Sequence, residues 1–403
     1  MATETIIELG ADFYRDPHSV YRELRADGGV HRVRFANGMV GWLVTDYDTV
    51  KQVLVDPAVR KDAFSDAGNA ARENAGQSGV GTMLNRHLVE HMLNADPPKH
   101  TRLRALVNKA FTSRAVRALE PRIVEIADDL LDKMAQRDSV DLLDSYAFPL
   151  PITVICELLG VPVADRDDFR EWSNAIVSEV TPDEMRSASD RLVEYMTDLI
   201  ADRTAHPGDD LLSELIAANE DGDRLTADEL VSMAFLLLVA GHETTVNLIG
   251  NSMLALLNDR FGLDAISADP QRIPSFLEES LRYDGPVHVA TMRYTSAEIV
   301  VGGTTIGANE LVLVSLSGAN RDPKRFDNPD DLDPTRTRNS HVAFGYGIHH
   351  CVGAPLARLE GRIALERLIT RYPKLALDAS VGDLEWRHSL LIRGLQTLPV
   401  TLA

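Results

Sequence analysis

Phe344-Gly345-Tyr346-Gly347-Ile348-His349-His350-Cys351-Val352-Gly353 decides how this chain is read. Cys351 is one of two cysteines in 403 residues, so its surroundings carry information. Glycines stand on both sides of it, and glycine admits backbone conformations and close approaches that other residues resist. Pro355-Leu356-Ala357-Arg358-Leu359-Glu360 continues in a helical pattern, and proline suits a first helical turn. The spacing predicts a tight loop that delivers Cys351 to a helix N-terminus. There the dipole and the free backbone N–H groups favour a thiolate over a thiol of ordinary pKa about 8.5. A sulfur so placed suits a metal ligand or a nucleophile. A zinc site is disfavoured, because adjacent His349, His350 and Cys351 lack the spacers a tetrahedral ion needs. A cysteine hydrolase stays open, since the same helix terminus would activate a nucleophile and the His could come from elsewhere in the fold.

Composition narrows the rest. Formal charge is 41 − 61 = −20, which argues against general nucleic-acid binding. No basic segment followed by an apolar one opens the sequence, and no apolar run approaches the roughly 20 residues of a membrane span. Two cysteines give no disulfide framework, and Cys156, in Ile152-Thr153-Val154-Ile155-Cys156, reads as a core residue. A cytoplasmic protein with no membrane partner is expected. The sequence shows no G-x-G-x-x-G and no G-x-x-x-x-G-K-[ST], hence no visible nucleotide or flavin module. A redox enzyme of this kind would need electrons from a separate protein.

Patterning predicts one mostly helical domain, residues 1–403, with short strand pieces. Asn37-Gly38 between alternating apolar residues predicts a hairpin over 30–45. Residues 61–81, poor in large apolar side chains, read as a long loop, either functional or simply exposed. Residues 287–293 and 311–316 read as strands. Helical patterns over 165–178 and 183–203 are broken at Pro182. Thr226-Ala227-Asp228-Glu229 reads as a capping box, and a helical pattern runs from it to about Asn258. Residues 233–240 are apolar on every face, so this helix should be buried. Its middle holds Gly241-His242-Glu243-Thr244-Thr245, and a buried carboxylate is costly unless it is paired or reaches water. Leu237, Ala240, Gly241, Thr244 and Leu248 share one stripe whose centre is small, where a flat ligand could lie. The same residues also suit a kinked helix with each Thr bonded back to its own turn.

The stretch 344–353, as Phe-Gly-x-Gly-x-His-x-Cys-x-Gly, resembles the proximal haem loop of the cytochrome P450 monooxygenases. Three further stretches, in order, resemble that family: His100-x-x-x-Arg104 after Asp96-Pro97-Pro98, Ala240-Gly241-x-Glu243-Thr244-Thr245, and Glu279-x-x-Arg282. The resemblance implies a mainly α fold, a helical triangular prism with a small β-rich region. It implies that Cys351 is the axial ligand of haem b (iron protoporphyrin IX), donating electron density that favours O–O cleavage. Phe344 would pack near the sulfur, with Gly345, Gly347 and Gly353 letting backbone pass close. His100, Arg104, Arg293 and His349 would hold the propionates, and Ala240 and Gly241 would lie against the haem. Thr244 would bond the bound oxygen while Glu243 helps relay protons. Glu279 and Arg282 would form a buried structural pair closed by a meander arginine, with Arg336 the candidate.

The family reading makes the chain a monooxygenase that uses O2 and electrons from a ferredoxin and ferredoxin reductase. The soluble bacterial members that tailor macrolides and polyketides are most similar. A bulky apolar natural product is therefore expected as substrate, macrolide or polyketide first and a steroid-like terpenoid second. Met83, Leu84, Leu237, Ala240, Val289, Ala290 and Leu391 are its candidate contacts, with His288 and Glu243 available for an amino sugar or hydroxyl. Arg102, Lys109, Arg114, Arg358 and Arg362 would form the ferredoxin surface on the cysteine side. A haem-thiolate enzyme that uses peroxide or rearranges its substrate, and more remotely the thiol hydrolase, are the alternatives.

Overall fold

A computed structural model of the protein describes residues 6–76, 86–177, 181–218 and 222–402. It is organised on the helix Ala227–Asn258, 32 residues long. Thr226 starts it as the sequence predicts. Its hydroxyl accepts from the Glu229 N–H at 3.3 Å, and Glu229 Oε2 accepts from the Thr226 N–H at 3.0 Å. The first half, Leu230 to Leu238, packs in one apolar cluster with Leu103, Leu106, Ile155, Leu192 and Met196. The second half, Val246 to Leu256, packs in another with Ile123, Leu281 and Leu365. Residues 240–245 fall between the two cores. A long apolar helix is thus buried at both ends and opened at its middle, which is where a site can form. By length and composition it could also span a membrane, but 78% of its apolar window is buried inside the protein.

Helices Pro149–Leu158, Pro182–Ala205, Ile273–Asp284 and Ala354–Arg371 pack on the central helix. A six-stranded sheet stands to one side, in the order Ile7–Leu9, Val30–Phe35, Val40–Val44, Leu311–Val314, Arg293–Thr295, Val59–Arg60. The Asn37-Gly38 turn joins the second and third strands, and Gly38 takes φ +84°. Val40–Val44 runs parallel to Leu311–Val314 with Trp42 opposite Val312, so residues far apart in sequence form the middle of the sheet.

Two sequence expectations change. Of the expected loop 61–81, residues 77–81 lie outside the described residues, and within 61–76 Asp66–Asn74 is a helix, capped by the Ser65 hydroxyl accepting from Gly68 N–H at 3.1 Å. Its inward residues, Gly68 and Ala71, are small, so the apolar period is faint in the sequence. Residues 287–292 are not a strand either. They make only single bridges, Val287 to Ile392 and Val289 to Ser315, and the strand proper is Arg293–Thr295.

Glu279 and Arg282 are fully buried one helical turn apart, joined by bonds of 2.8 and 2.7 Å. Arg336 Nε lies 3.3 Å from Glu279, and Arg282 also donates to the carbonyls of Asn320, Pro329 and Asp331. The pair thus draws the meander of residues 327–336 onto the helix Ile273–Asp284. Breaking a buried pair by removing one charge costs about 3–5 kcal/mol.

A second network ties the N-terminal helices to the last segments. Arg393 donates to Asp284 at 3.3 Å and to the Tyr14 carbonyl at 2.8 Å, and His18 Nε2 meets Asp284 at 3.0 Å. His288 Nε2 lies 2.8 Å from the Ser389 carbonyl, which can only accept, so Nε2 carries the proton and Nδ1 accepts from Tyr21 at 3.2 Å. Both ring nitrogens are used and the residue is buried, so His288 is a framework residue and not a substrate contact.

Two predictions follow from these networks. Glu279→Gln should lower unfolding free energy by about 3 kcal/mol or more in urea melts; a cost under about 1 would show that the pair is dispensable. Burial, with nearby arginines, holds the His18 and His288 imidazoles down to about 4. Between about pH 4 and 6.5 the unfolded chain therefore binds more protons, and stability falls as pH drops through that window, by up to about 1.4 kcal/mol per unit for each ring. Urea midpoints measured across this range should show the slope, and His288→Gln should flatten it.

Candidate active site

The opening in the central helix faces a cavity of about 1010 Å³. Cys351 lies on its wall: the residue is accessible although deep in the molecule, and what it faces is the cavity. The loop before it folds on Gly345 and Gly347, at φ +75° and +77°. A Cβ on Gly347 would lie 2.9 Å from Val55 and 3.1 Å from the Leu54 carbonyl. Gly347 therefore makes room for the helix Tyr47–Val55 and not for the sulfur. The Cys351 N–H donates to the Phe344 carbonyl at 2.9 Å, and the Arg358 guanidinium covers the Phe344 ring at 4.4 Å.

The helix Ala354–Arg371 begins right after the loop, and the N–H groups of Gly353 and Ala354 point to the sulfur. Burial is the larger influence, however, and it pushes the Cys351 thiol up despite those N–H groups and the charges of Arg104 and Arg358. The expectation of a thiol ionised by the helix terminus alone is therefore corrected. A metal ion is what ionises a thiol in such a place, since coordination deprotonates it outright. Without one, a thiol pushed up in this way is a weaker nucleophile, which counts against the hydrolase reading.

Leu237, Ala240, Gly241, Thr244 and Leu248, the stripe that spacing predicts, line the same cavity. Ala240 is exposed although it sits amid a buried helix. Thr244 and Thr245 each donate back to their own turn, to the carbonyls of Ala240 and Gly241 at 2.9 and 3.0 Å. A hydroxyl that donates in this way still has lone pairs to accept with. Glu243 is buried and paired: its Oε1 accepts from Arg387 Nη1 at 2.6 Å and from Asn247 Nδ2 at 3.2 Å.

One side wall is basic. The rings of His100 and His349 lie 4.3 Å apart, and both His100 nitrogens are buried without a hydrogen-bond partner. Arg104, four residues on, has no hydrogen bond among the described residues. Arg293 donates to the Thr291 carbonyl at 2.6 Å, and buried Lys61 donates to the Thr291 hydroxyl. Burial, then the charges of Lys61, His100, Arg293 and Arg104, press the His349 imidazole down to about 2. Asp96 is the one carboxylate whose charge reaches Lys61 and Arg293, and its oxygens are taken by the N–H groups of Lys61 and Asp62. Orphaned donors and surplus positive charge fit a buried group with two carboxylates, as a haem with its propionates is.

His100, Arg104, Arg293, Phe344, Gly345, His349, Cys351, Gly353, Ala240, Gly241, Glu243 and Thr244 all line this one cavity. Of the expected substrate contacts, Leu237, Ala240, Ala290 and Leu391 do so too. Val289 does not: it is buried in an apolar cluster with Phe13, Tyr21 and Leu313, because its side chain alternates away from Ala290. Met83 and Leu84 lie outside the described residues. The sequence reading missed His91, Asn94, Phe235 and Arg387 on the wall, and Lys61 behind it. Of these only Phe235 carried a signal, as part of the apolar helix.

The basic residues expected on the cysteine side are mostly engaged. Arg102 binds Asp223 and Glu229 at the start of the central helix, Arg358 binds Glu278, and Arg362 binds Glu120 and Glu366. Arg114 is exposed.

Comparison with known proteins places this geometry. The family model "Cytochrome P450" matches residues 38–180 and 273–380. The chain is 51% identical over 388 residues to Cytochrome P450 107B1 of Saccharopolyspora erythraea, covering 96% of this chain and 95% of the relative. It is 42% identical over 402 residues to the 6-deoxyerythronolide B hydroxylase of the same organism, covering 99% of each. Among solved structures, the tirandamycin C-bound P450 monooxygenase TamI superposes with a TM-score of 0.89 at 45% identity, covering 98% of this chain and all of that one. With the sulfur, the notched helix and the basic wall converging on one cavity, the chain belongs to the cytochrome P450 family and is a haem-thiolate monooxygenase that takes electrons from a redox partner and acts on a small molecule.

Proposed function

We propose that the whole chain works as one haem domain that hydroxylates a bulky, neutral, largely apolar natural product of the macrolide or polyketide class. The observation that supports this best is the cavity. Its lining gathers Cys351, Ala240 and Thr244, the basic residues His100, Arg104 and Arg293, and the apolar Phe235, Leu237, Val287, Ala290 and Leu391. The names of the relatives point the same way.

In this reading haem b supplies the oxygen-activating iron, and the protein does the rest. Cys351 ligates the metal. His100, Arg104, Arg293 and His349 hold the two propionates by charge-assisted bonds, the strong kind. Thr244 accepts and passes a hydrogen bond on the side facing the substrate, and Glu243 feeds it protons. Apolar burial, at roughly 25 cal/mol per Å², supplies most of the substrate's affinity, while a few polar wall groups such as Asn94 and Ser389 fix its orientation.

The substrate is read as neutral for a specific reason. Among the described wall residues the carboxylates are Glu243, already held by Arg387, and Glu360, whose carboxyl burial raises well above the ordinary range. Glu243 is already paired with Arg387, and both ring nitrogens of His288 are in use, so the amino-sugar role considered for these two is dropped.

Electrons would come from a ferredoxin and its reductase. On the Cys351 side a shallow groove of about 340 Å³ runs between Ser113, Arg117, Pro355, Arg358 and Arg362, and a small acidic protein would fit it. Two free thiols suit a reducing cytoplasm.

Two measurements test this. Cys351→Ser should abolish the long-wavelength Soret band of the reduced, carbonyl-bound protein, whereas Cys156→Ser should keep it, since Cys156 is buried in the core with its thiol pushed up to about 12. A normal band in the Cys351 variant would end the assignment. Titration of the haem spin-state band with macrolide aglycones, amino-sugar macrolides, steroids, fatty acids and small aromatics should give the fullest shift with a neutral macrolide or polyketide. Complete shifts only with fatty acids, small aromatics or cationic macrolides would refute the substrate class.

A further inference from the structure

Three polar side chains stand one turn apart along the central helix: Glu243, Asn247 and Asn251. All three meet the segment 386–395. Asn251 Nδ2 donates to the Arg393 carbonyl at 2.9 Å. The backbone at Gly394 lies so close that a Cβ there would collide with the Asn247 amide. Arg387 Nη1 donates to Glu243 Oε1 at 2.6 Å. The arginine is itself held by its own segment, through Nε to the Leu395 carbonyl at 3.3 Å and its N–H to the Gly394 carbonyl at 2.9 Å. Trp386 and Leu395 close the segment as an antiparallel bridge.

This arrangement treats the two Glu243 oxygens differently. Oε1 is doubly held, by Arg387 and by Asn247 Nδ2 at 3.2 Å. Oε2 takes no hydrogen bond among the described residues; His242 Nε2 lies 3.9 Å from it. His242 cannot donate there as a neutral ring, because its Nδ1 lies 3.0 Å from the Leu238 carbonyl and must carry the proton. Burial lowers the His242 pKa, which keeps the ring neutral. Glu243 also lines the cavity, so Oε2 is the oxygen able to exchange a proton. The segment that carries Arg387 supplies Ser389, Leu391 and Ile392 to the same wall.

We propose that Arg387 is a positioning residue for proton delivery, holding Glu243 with Oε1 fixed and Oε2 free. The inference rests on the reading of Glu243 and Thr244 as the proton-delivery pair. A proton taken up at Oε2 and passed on toward Thr244 leaves the carboxylate as it began, so the relay turns over without net change.

The test uses the haem-loaded enzyme with its redox proteins and NADPH. The probe is 6-deoxyerythronolide B or, if another panel compound shifts the spin state more fully, that compound. Arg387→Met should keep the carbonyl band and bind the probe within about twofold of the parent, yet form at least about fivefold less product per NADPH, with a changed solvent isotope effect. Arg387→Lys should recover a large part of the loss. Glu243→Gln should match Arg387→Met, and the double variant should lose no more than either, since two residues acting as one unit are not additive. In a crystal structure of Arg387→Met the Glu243 carboxylate should leave its place beside Asn247. If Arg387→Met does not load haem, Arg387→Gln is judged by the same criteria. Parental coupling in the Arg387 variants with loss in Glu243→Gln would overturn the inference and leave the pair reading standing. Parental coupling in Glu243→Gln would overturn the pair reading, and this inference with it. Additive losses in the double variant, or a loss that tracks weaker probe binding, would show that Arg387 acts elsewhere.

Discussion

Buried positive charge is the constraint on which the site depends. Lys61, Arg104 and Arg293, with His100 and His349 among them, gather at one wall with Asp96 as their carboxylate. Desolvated cations of one sign repel, and each is expensive to bury without a counter-ion. Two propionates added to Asp96 would offset this positive charge, and binding of such a group would then stabilise the fold through this wall, by the rule that whatever binds only the native state stabilises it.

The second constraint is the division of the core. A 32-residue helix shared by two apolar clusters has one stretch that neither cluster claims, and that stretch carries Gly241, Glu243, Thr244 and Thr245. The helix and its break were legible in the sequence, because they are local: a capping box, an all-round apolar run and an abrupt polar break. The loop of 344–353 was legible for the same reason, its glycines and cysteine sitting within ten positions. What its spacing could not show was the balance of forces on the sulfur. A helix terminus can be read from sequence, but burial cannot, and burial wins at Cys351.

The residues that escaped the sequence reading share a cause. Arg387 meets Glu243 across 144 positions, and Lys61 meets Thr291 across 230. No periodicity links such pairs; the fold alone makes them neighbours. Val289 shows the converse, a residue whose local setting matched the expected wall but whose side chain turns into an apolar cluster while Ala290 faces the cavity. The helix Asp66–Asn74 hides behind alanine and glycine, which pack without leaving an amphipathic stripe.

The pinning of the N-terminal helices by Arg393 has a consequence for biogenesis. Residues 386–396 follow every other part of the cavity wall in the chain. Yet they hold Tyr14, 379 positions earlier, and clamp Glu243 and Asn251. Contacts of such sequence separation form late and slowly, because a long loop must close before they repay it. During synthesis the central helix and the cysteine loop would emerge while one wall was still missing. A nascent chain could collapse on its two cores, but the pocket would stay open toward the side these residues later seal. That opening is a natural door for a large planar cofactor, shut by the last stretch of wall the ribosome makes.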